Sequence, residues 1–314
     1  MKRSLAIGTR GSPLARTQAQ RVADRLRERW PDVECRVRTF DTRGDREGER
    51  PLPEIGGKGL FTLELENALR AGEIDLAVHS LKDLPIEPAD GLVVGAIPER
   101  EDPRDLWCVR AADGPHHPRE APAGFRVGTS SLRRQAQCLA LRSELTVLHI
   151  RGNVGTRVAK LERGDFDAVV LAAAGLRRLG VRTPAALHPL EPPDWLPAPG
   201  QGALAVECRA GDDPTLELLA GIEDARARTE TEAERALLAS LEGGCQVPLG
   251  ALARQSGDRL ELWAFVGSPD GRTIVRGHAG GSRTDPQALG RVLADDLRDR
   301  GAEEILRALR NEDG

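Results

Sequence analysis

The chain has 314 residues, 39% hydrophobic and 30% charged, a globular composition with room for two or three domains and not that of a disordered chain. A formal net charge of -4 gives no electrostatic case for nucleic acid, and no apolar run approaches the ~20 residues of a membrane span. The segment from Met1 to Gly8 turns polar too soon for a signal peptide, and five cysteines without a Cys-x-x-Cys pair argue against a disulfide framework and a zinc cluster, so a cytoplasmic, metal-free protein is expected.

Ser4–Gly8 reads as a buried strand. Ser12-Pro13 then opens a helix, serine as N-cap and proline at the first helical position, with Ala15, Ala19, Val22 and Leu26 at helical spacing. A strand Glu34–Phe40, a polar glycine-rich stretch from Asp41 to Gly59, a helix at about Thr62–Ala71 and a strand Ile74–His79 follow, ending at Lys82-Asp83-Leu84-Pro85. Two phrases then recur in the same order. Gly8-Thr9-Arg10 is echoed by Gly128-Thr129-Ser130-Ser131 before the helix Leu132–Arg142. Gly72-Glu73-Ile74-Asp75-Leu76-Ala77-Val78 is echoed by Gly164-Asp165-Phe166-Asp167-Ala168-Val169-Val170. The repetition predicts two copies of one α/β unit, each a mostly parallel sheet covered by helices. Crossings at Glu99–Pro103 and Leu196–Gly200 would join them as a double hinge, and clefts between such domains are common ligand sites.

A third region starts near Asp224. Thr231-Glu232-Ala233-Glu234 has capping-box spacing, and its helix is expected to end at Gly243-Gly244. Strands at about Val247–Ala253, Arg259–Gly267 and Arg272–Ala279 and helices at about Pro286–Arg298 and Ala302–Arg310 predict a small α+β domain with an antiparallel sheet. Leu260, Leu262, Ala264 and Val266 alternate, so one face of the middle strand is buried. The expected division is 1-98 with 200-220, then 103-196, then 224-314.

Four lysines stand against 41 arginines, so nearly every positive charge is a guanidinium; two of the four, Lys58 and Lys82, fall in distinctive motifs. The ends of the duplicated strands collect anion-binding groups. Arg10 and Ser12 stand where the first strand meets its helix; Ser130, Ser131, Arg133 and Arg134 stand at the echoing junction. Arg151-Gly152-Asn153 precedes another helix, with Arg157 in its first turn. Helix N-termini attract carboxylates, and guanidinium pairs with them in bidentate fashion. Five arginines at such junctions imply a ligand with several carboxylates. Phosphate is disfavoured, because Gly56-Gly57-Lys58-Gly59 lacks the frame of a nucleotide loop. Asp83, at the C-terminal end of a buried strand, is placed to handle protons or hold a developing cation, unless Lys82-Asp83 is an ordinary solvated turn. His79 is expected to end the strand with a structural hydrogen bond. Cys35, Cys108, Cys138 and Cys208 fall in strands or a helix and are expected to be buried and inert. Cys245 follows Gly243-Gly244 in a loop. A helix C-terminus opposes thiolate formation, which speaks against repeated nucleophilic turnover and leaves single covalent attachment or an inert loop thiol.

The strings IGTRGSPLARTQ, DTRGD, GGKGLFTLELE, AVHSLKDLP, EREDPRD, VGTSSLRRQAQ, RGNVGTR, GQGALAVECR and LEGGCQVPLG run in order from Ile7 to Gly250, and together they resemble the signature segments of the hydroxymethylbilane synthase (porphobilinogen deaminase) family. The resemblance implies two duplicated α/β domains similar to type-II periplasmic binding proteins plus a small α+β domain. It implies a cytoplasmic, monomeric transferase of tetrapyrrole, porphyrin and haem biosynthesis that condenses four porphobilinogen molecules with loss of ammonia. Its primer would be a dipyrromethane cofactor held by a thioether to Cys245. Carried over, Asp83 would contact pyrrole N–H groups, stabilise the cation left by ammonia and assist deprotonation after coupling. Arg10, Ser12, Lys82, Ser130, Arg133, Arg134, Arg151 and Arg157 would pair with acetate and propionate arms. Lys58 and Phe61 would belong to an active-site loop, and Gln201 to the hinge side. Where the family often carries lysine two residues before Gly56-Gly57, this chain has Glu54, which is therefore excluded from the site. A polycarboxylate-binding module of the type-II class is the competing expectation for residues 1–220.

Overall fold

The computed structural model describes residues 3–46, 60–111, 113–241 and 247–312. The chain divides into two compact units, Met1–Glu101 with Gly202–Arg228, and Asp102–Gln201 with Thr229–Gly314.

The first unit opens with β1 (Arg3–Arg10), α1 (Pro13–Arg29) and β2 (Val33–Phe40), followed by the short α2 (Arg43–Arg46), α3 (Leu63–Arg70), β3 (Leu76–Ser80) and β4 (Leu92–Ala96). Ser12 caps α1, its Oγ accepting the Ala15 N–H at 3.2 Å, and Pro13 occupies the first helical position. Ala15, Ala19, Val22 and Leu26 are all buried on one side of this helix, as their spacing predicts. The second unit opens with β5 (Asp105–Val109), β6 (Arg126–Gly128), α4 (Leu132–Leu141), β7 (Thr146–Leu148), α5 (Val154–Glu162), β8 (Ala168–Ala172), α6 (Ala173–Leu179) and β9 (Ala186–Leu190). The chain then supplies β10 (Leu204–Arg209) and α7 (Asp213–Ala220) to the first unit.

The duplication is visible in the strand orders, β2-β1-β3-β10-β4 in one sheet and β7-β6-β8-β5-β9 in the other. In each, two ladders are parallel and two antiparallel, so the expected mostly parallel sheets are mixed. The difference arises because β10 and β5 each run against both of their neighbours, a direction that repeated strand–helix phrases do not encode. The repeated Gly–acidic–apolar–Asp phrase has one physical meaning in both copies. Gly72 and Gly164 turn at positive φ, 69° and 87°. Three residues later Asp75 accepts the backbone N–H of Ala6 at 2.8 Å, and Asp167 that of Arg126 at 3.0 Å, pinning β3 to its parallel neighbour β1 and β8 to its parallel neighbour β6.

Helix α8 (Ala225–Ser240) leads into β11 (Leu249–Ser256), β12 (Arg259–Gly267), β13 (Ile274–Ser282), α9 (Pro286–Asp299) and α10 (Ala302–Glu312). The sheet is antiparallel in the order β11-β12-β13. One face carries Leu260, Leu262, Ala264 and Val266 into a core with Leu237, Leu293 and Leu306 from the three helices. On the other face, Leu252 and Phe265 pack with Ala136 and Leu196 of the same unit. The capping-box reading is corrected: Thr231 and Glu234 lie in the middle of α8, both with no exposed surface. The helix begins more than a turn earlier, where Asp224 Oδ1 accepts the Ala227 N–H at 2.7 Å. Glu234 instead accepts the N–H groups of Gly200 at 2.7 Å and Ala253 at 2.9 Å. The expected helix end at Gly243-Gly244 lies outside the described residues. Among the described residues no helix is long and apolar enough to cross a membrane.

Candidate functional site

In the first unit, Arg10, Ser12, Gln18, Phe61, His79 and Asp83 line one partly open pocket of about 70 Å³. The elements that meet there are the end of β1, the start of α1 and the end of β3. Gln18 Nε2 donates to Ser80 Oγ at 2.9 Å, tying the helix to the strand end. The Arg10 guanidinium lies over the Phe61 ring, 4.0 Å from its centroid. Phe61 in turn packs against Gly44, where a Cβ would fall 2.1 Å from a ring carbon. The Gly44 N–H donates to Leu60 O at 2.9 Å. Aromatic ring and guanidinium are thus fixed together before any ligand arrives.

Asp83 closes a single 3-10 turn, Leu81–Asp83, directly after β3. Leu81 and Leu84 on either side are buried, and the Leu81 N–H donates to Ala203 O at 3.0 Å, so the turn is anchored while Asp83 is exposed. Lys82 is half-buried in the same turn. His79 sits lower in the strand, its Nε2 3.2 Å from Glu207 Oε2 of β10, both side chains almost wholly buried. Neither atom makes an aligned hydrogen bond among the described residues, so the structural hydrogen bond expected of His79 is not formed at this nitrogen.

The second unit repeats the junction chemistry. Ser131 caps α4, accepting the Arg134 N–H at 3.4 Å, and Asn153 caps α5, accepting the Thr156 N–H at 2.9 Å. The Ser130 hydroxyl accepts the Ile150 N–H at 3.2 Å and donates to Ile150 O, joining the end of β6 to the residue before Arg151. Arg157 Nε donates to Gly152 O at 2.9 Å.

The two consecutive arginines converge on a residue that the sequence reading passed over. Asp105 has no exposed surface, and each of its oxygens accepts two hydrogen bonds. Oδ2 takes Arg133 Nη1 at 2.8 Å and Trp195 Nε1 at 2.8 Å. Oδ1 takes Arg134 Nη2 at 2.7 Å and Gln201 Nε2 at 2.8 Å. Burial pushes the Asp105 carboxyl up, but the charges and hydrogen bonds of Arg133 and Arg134 outweigh it and hold the group well below the usual carboxylate range. Arg133 also donates to Leu196 O at 2.7 Å, and Arg134 to Val170 O at 2.9 Å. The available signal was an aspartate heading an otherwise apolar strand, since a buried carboxylate requires cationic or N–H partners.

Positive charge still exceeds this one carboxylate. Arg157 is pulled down to about 10, first by burial and then by the like charges of Arg134 and Arg151. Arg134 Nε is buried and has no hydrogen-bond partner among the described residues. Such a cluster fits an acidic ligand. Glu54, Lys58 and Cys245 lie outside the described residues. Cys35, Cys108, Cys138 and Cys208 are buried in strands and a helix, as expected. Among the described residues no group of three or more His, Cys, Asp or Glu side chains is arranged to hold a metal ion.

Comparison with known proteins places this geometry in a family. Residues 5–217 match the family described as porphobilinogen deaminase, dipyrromethane cofactor binding domain, and residues 228–299 match the porphobilinogen deaminase C-terminal domain. The chain is 49% identical over 310 residues to the porphobilinogen deaminase of Roseiflexus castenholzii, covering 98% of this chain and 99% of the relative. It is 51% identical over 310 residues to that of Desulforudis audaxviator, covering 99% of each. Among solved structures, a Salmonella typhimurium periplasmic binding protein with high arginine specificity is 16% identical, with a TM-score of 0.41 over 70% of this chain and 92% of that one. The chain belongs to the porphobilinogen deaminase family of transferases.

Proposed function

We propose that this chain joins four porphobilinogen molecules head to tail, with loss of four ammonia molecules, on a dipyrromethane primer bound through a thioether to Cys245, and that one water then cleaves the chain from the primer to release the linear tetrapyrrole hydroxymethylbilane. The observation that carries the reading is the crowding of like guanidinium charge on the buried Arg157, with a buried donor of Arg134 unpaired among the described residues. Every pyrrole added brings an acetate and a propionate, so a lengthening product demands this kind of surplus.

The primer fits the residues present. Its acid arms would be held by Arg10, Ser12 and Lys82 in the first unit and by Ser130, Arg134, Arg151 and Arg157 in the second, with Arg133 and Gln201 acting through Asp105. Once attached, the dipyrrole supplies the free pyrrole carbon to which new rings add. Asp83, exposed on an anchored turn, accepts pyrrole N–H bonds, stabilises the cation formed when ammonia leaves porphobilinogen and takes up the proton displaced by coupling. Phe61 holds Arg10 in place, and Lys58 belongs to the same active-site loop. Residues 1-98 with 200-220, 103-196 and 224-314 act as three domains of a cytoplasmic monomer. Intact-mass measurement of the active enzyme tests the central bond: a mass increment equal to two condensed pyrroles, absent from Cys245→Ala, is expected. Active enzyme with the mass of the bare polypeptide would refute the proposal.

A further inference from the structure

We propose that Asp105 is a positioning residue for the acid-binding site of the second unit: it holds Arg134 so that the Nε edge of that guanidinium meets a ligand carboxylate. The inference rests on the function proposed above and adds a residue to it. The geometry assigns the role in three steps.

First, Arg134 has no rotational freedom. Nη1 is bound to Val170 O at 2.9 Å and Nη2 to Asp105 Oδ1 at 2.7 Å, and the side chain is 7% exposed. Two anchors on a planar group fix the direction of the third donor, Nε–H. Secondly, that donor is buried and without a partner among the described residues. A buried N–H left unpaired is costly, and a charged guanidinium N–H makes a strong bond to a carboxylate oxygen. The vacancy is therefore a docking point for an acid arm. Thirdly, Asp105 does more than neutralise charge. Its four lone-pair positions are all taken, by Arg133, Arg134, Trp195 and Gln201. The same carboxylate thus fixes α4, the Trp195 segment and Gln201 around the arginine that faces ligand. An asparagine in its place offers one acceptor oxygen and turns an NH₂ toward two of the four donors.

The test measures binding of an unreactive pyrrole that carries one acetate and one propionate but no aminomethyl group, by calorimetry on the primed enzyme, together with KM and kcat for porphobilinogen. Asp105→Asn and Arg134→Lys are each expected to weaken analogue binding at least tenfold and to raise KM alike, with kcat within threefold. Because Asp105 acts through Arg134, the double variant is expected to bind within twofold of Arg134→Lys alone. A merely structural role would lower the melting temperature and leave KM and analogue affinity untouched, and that result overturns the proposal, as does multiplication of the two losses. Should Asp105→Asn fail to fold, Asp105→Asn combined with Arg133→Gln removes anion and cation together. The same tenfold loss supports the proposal there, and wild-type affinity overturns it. If wild-type enzyme itself ignores the analogue, the functional reading falls; if only Asp105→Asn retains binding, the role of Asp105 alone falls.

Discussion

Arg10 and Phe61 form a stacked pair, guanidinium carbon 4.0 Å from the ring centroid. A cation over an aromatic face gains about 0.5–1 kcal/mol where water still reaches it and about 2 when desolvated. Phe61→Leu keeps the apolar volume on Gly44 and removes the quadrupole. The expected outcome is a KM for porphobilinogen raised about 2–5-fold with kcat little changed, because Arg10 loses orientation rather than charge. Steady-state kinetics read both constants; a fall in kcat alone would contradict the pairing.

Asp83 stands on a turn whose flanking leucines are buried, so its replacement leaves the backbone intact. Asp83→Asn retains the shape and loses the negative charge. A drop in kcat of about 10²–10³-fold is expected, with the primer mass still present and the melting temperature unchanged. Primer loss together with unfolding would place the residue in the scaffold instead.

The charge on Arg157 is held at a cost. Its folded value lies below that of the unfolded chain, so between about 10 and the ordinary guanidinium range the unfolded chain binds more protons and stability rises with pH; at neutral pH the whole penalty is carried. An anion that binds the cluster relieves it. Citrate is expected to raise the melting temperature by several degrees, and Arg157→Gln to lose most of that gain while being no less stable without citrate. Thermal scans at fixed ionic strength decide the matter.

Burial pushes the thiols of Cys108 and Cys138 up to about 12 and that of Cys208 to about 11, and burial also raises Cys35. Above the ordinary thiol range the unfolded chain sheds these protons first, so their contribution to stability is lost as pH rises toward those values. At pH 8 the buried Cys138 thiol therefore stays protonated. Iodoacetamide on the native enzyme is expected to label none of the four, and all four after unfolding. A Cys245 that stays unlabelled even then marks the thioether.

Much of the scaffold was written locally. Ser12, Ser131 and Asn153 each cap the helix that follows, because a short side-chain oxygen at that position satisfies an N–H its own backbone leaves open. The Gly72 and Gly164 turns repeat for a local reason, their positive φ, although the Asp75 and Asp167 bonds that follow them reach 69 and 41 positions back. What was not legible depends on partners distant in sequence. Asp105 meets Gln201 across 96 positions. Thr231 and Glu234 have the spacing of a cap, but α8 already has one at Asp224, and Glu234 answers to Gly200 and Ala253 instead. The direction of β10 follows from where the chain comes back, which no window of residues around it records.

That return has a consequence for synthesis on the ribosome. Among the described residues strand β4 pairs with β10 alone, and β10 also completes β3 on its other side. The five strands of the other sheet all lie within residues 105–190. A nascent chain released near residue 195 would hold every strand of the later sheet but an earlier one with an unfilled slot and an orphaned edge. Emergence order and completion order are therefore reversed, and a truncation before Leu204 should leave the N-terminal segment sticky and protease-sensitive while its neighbour has already closed.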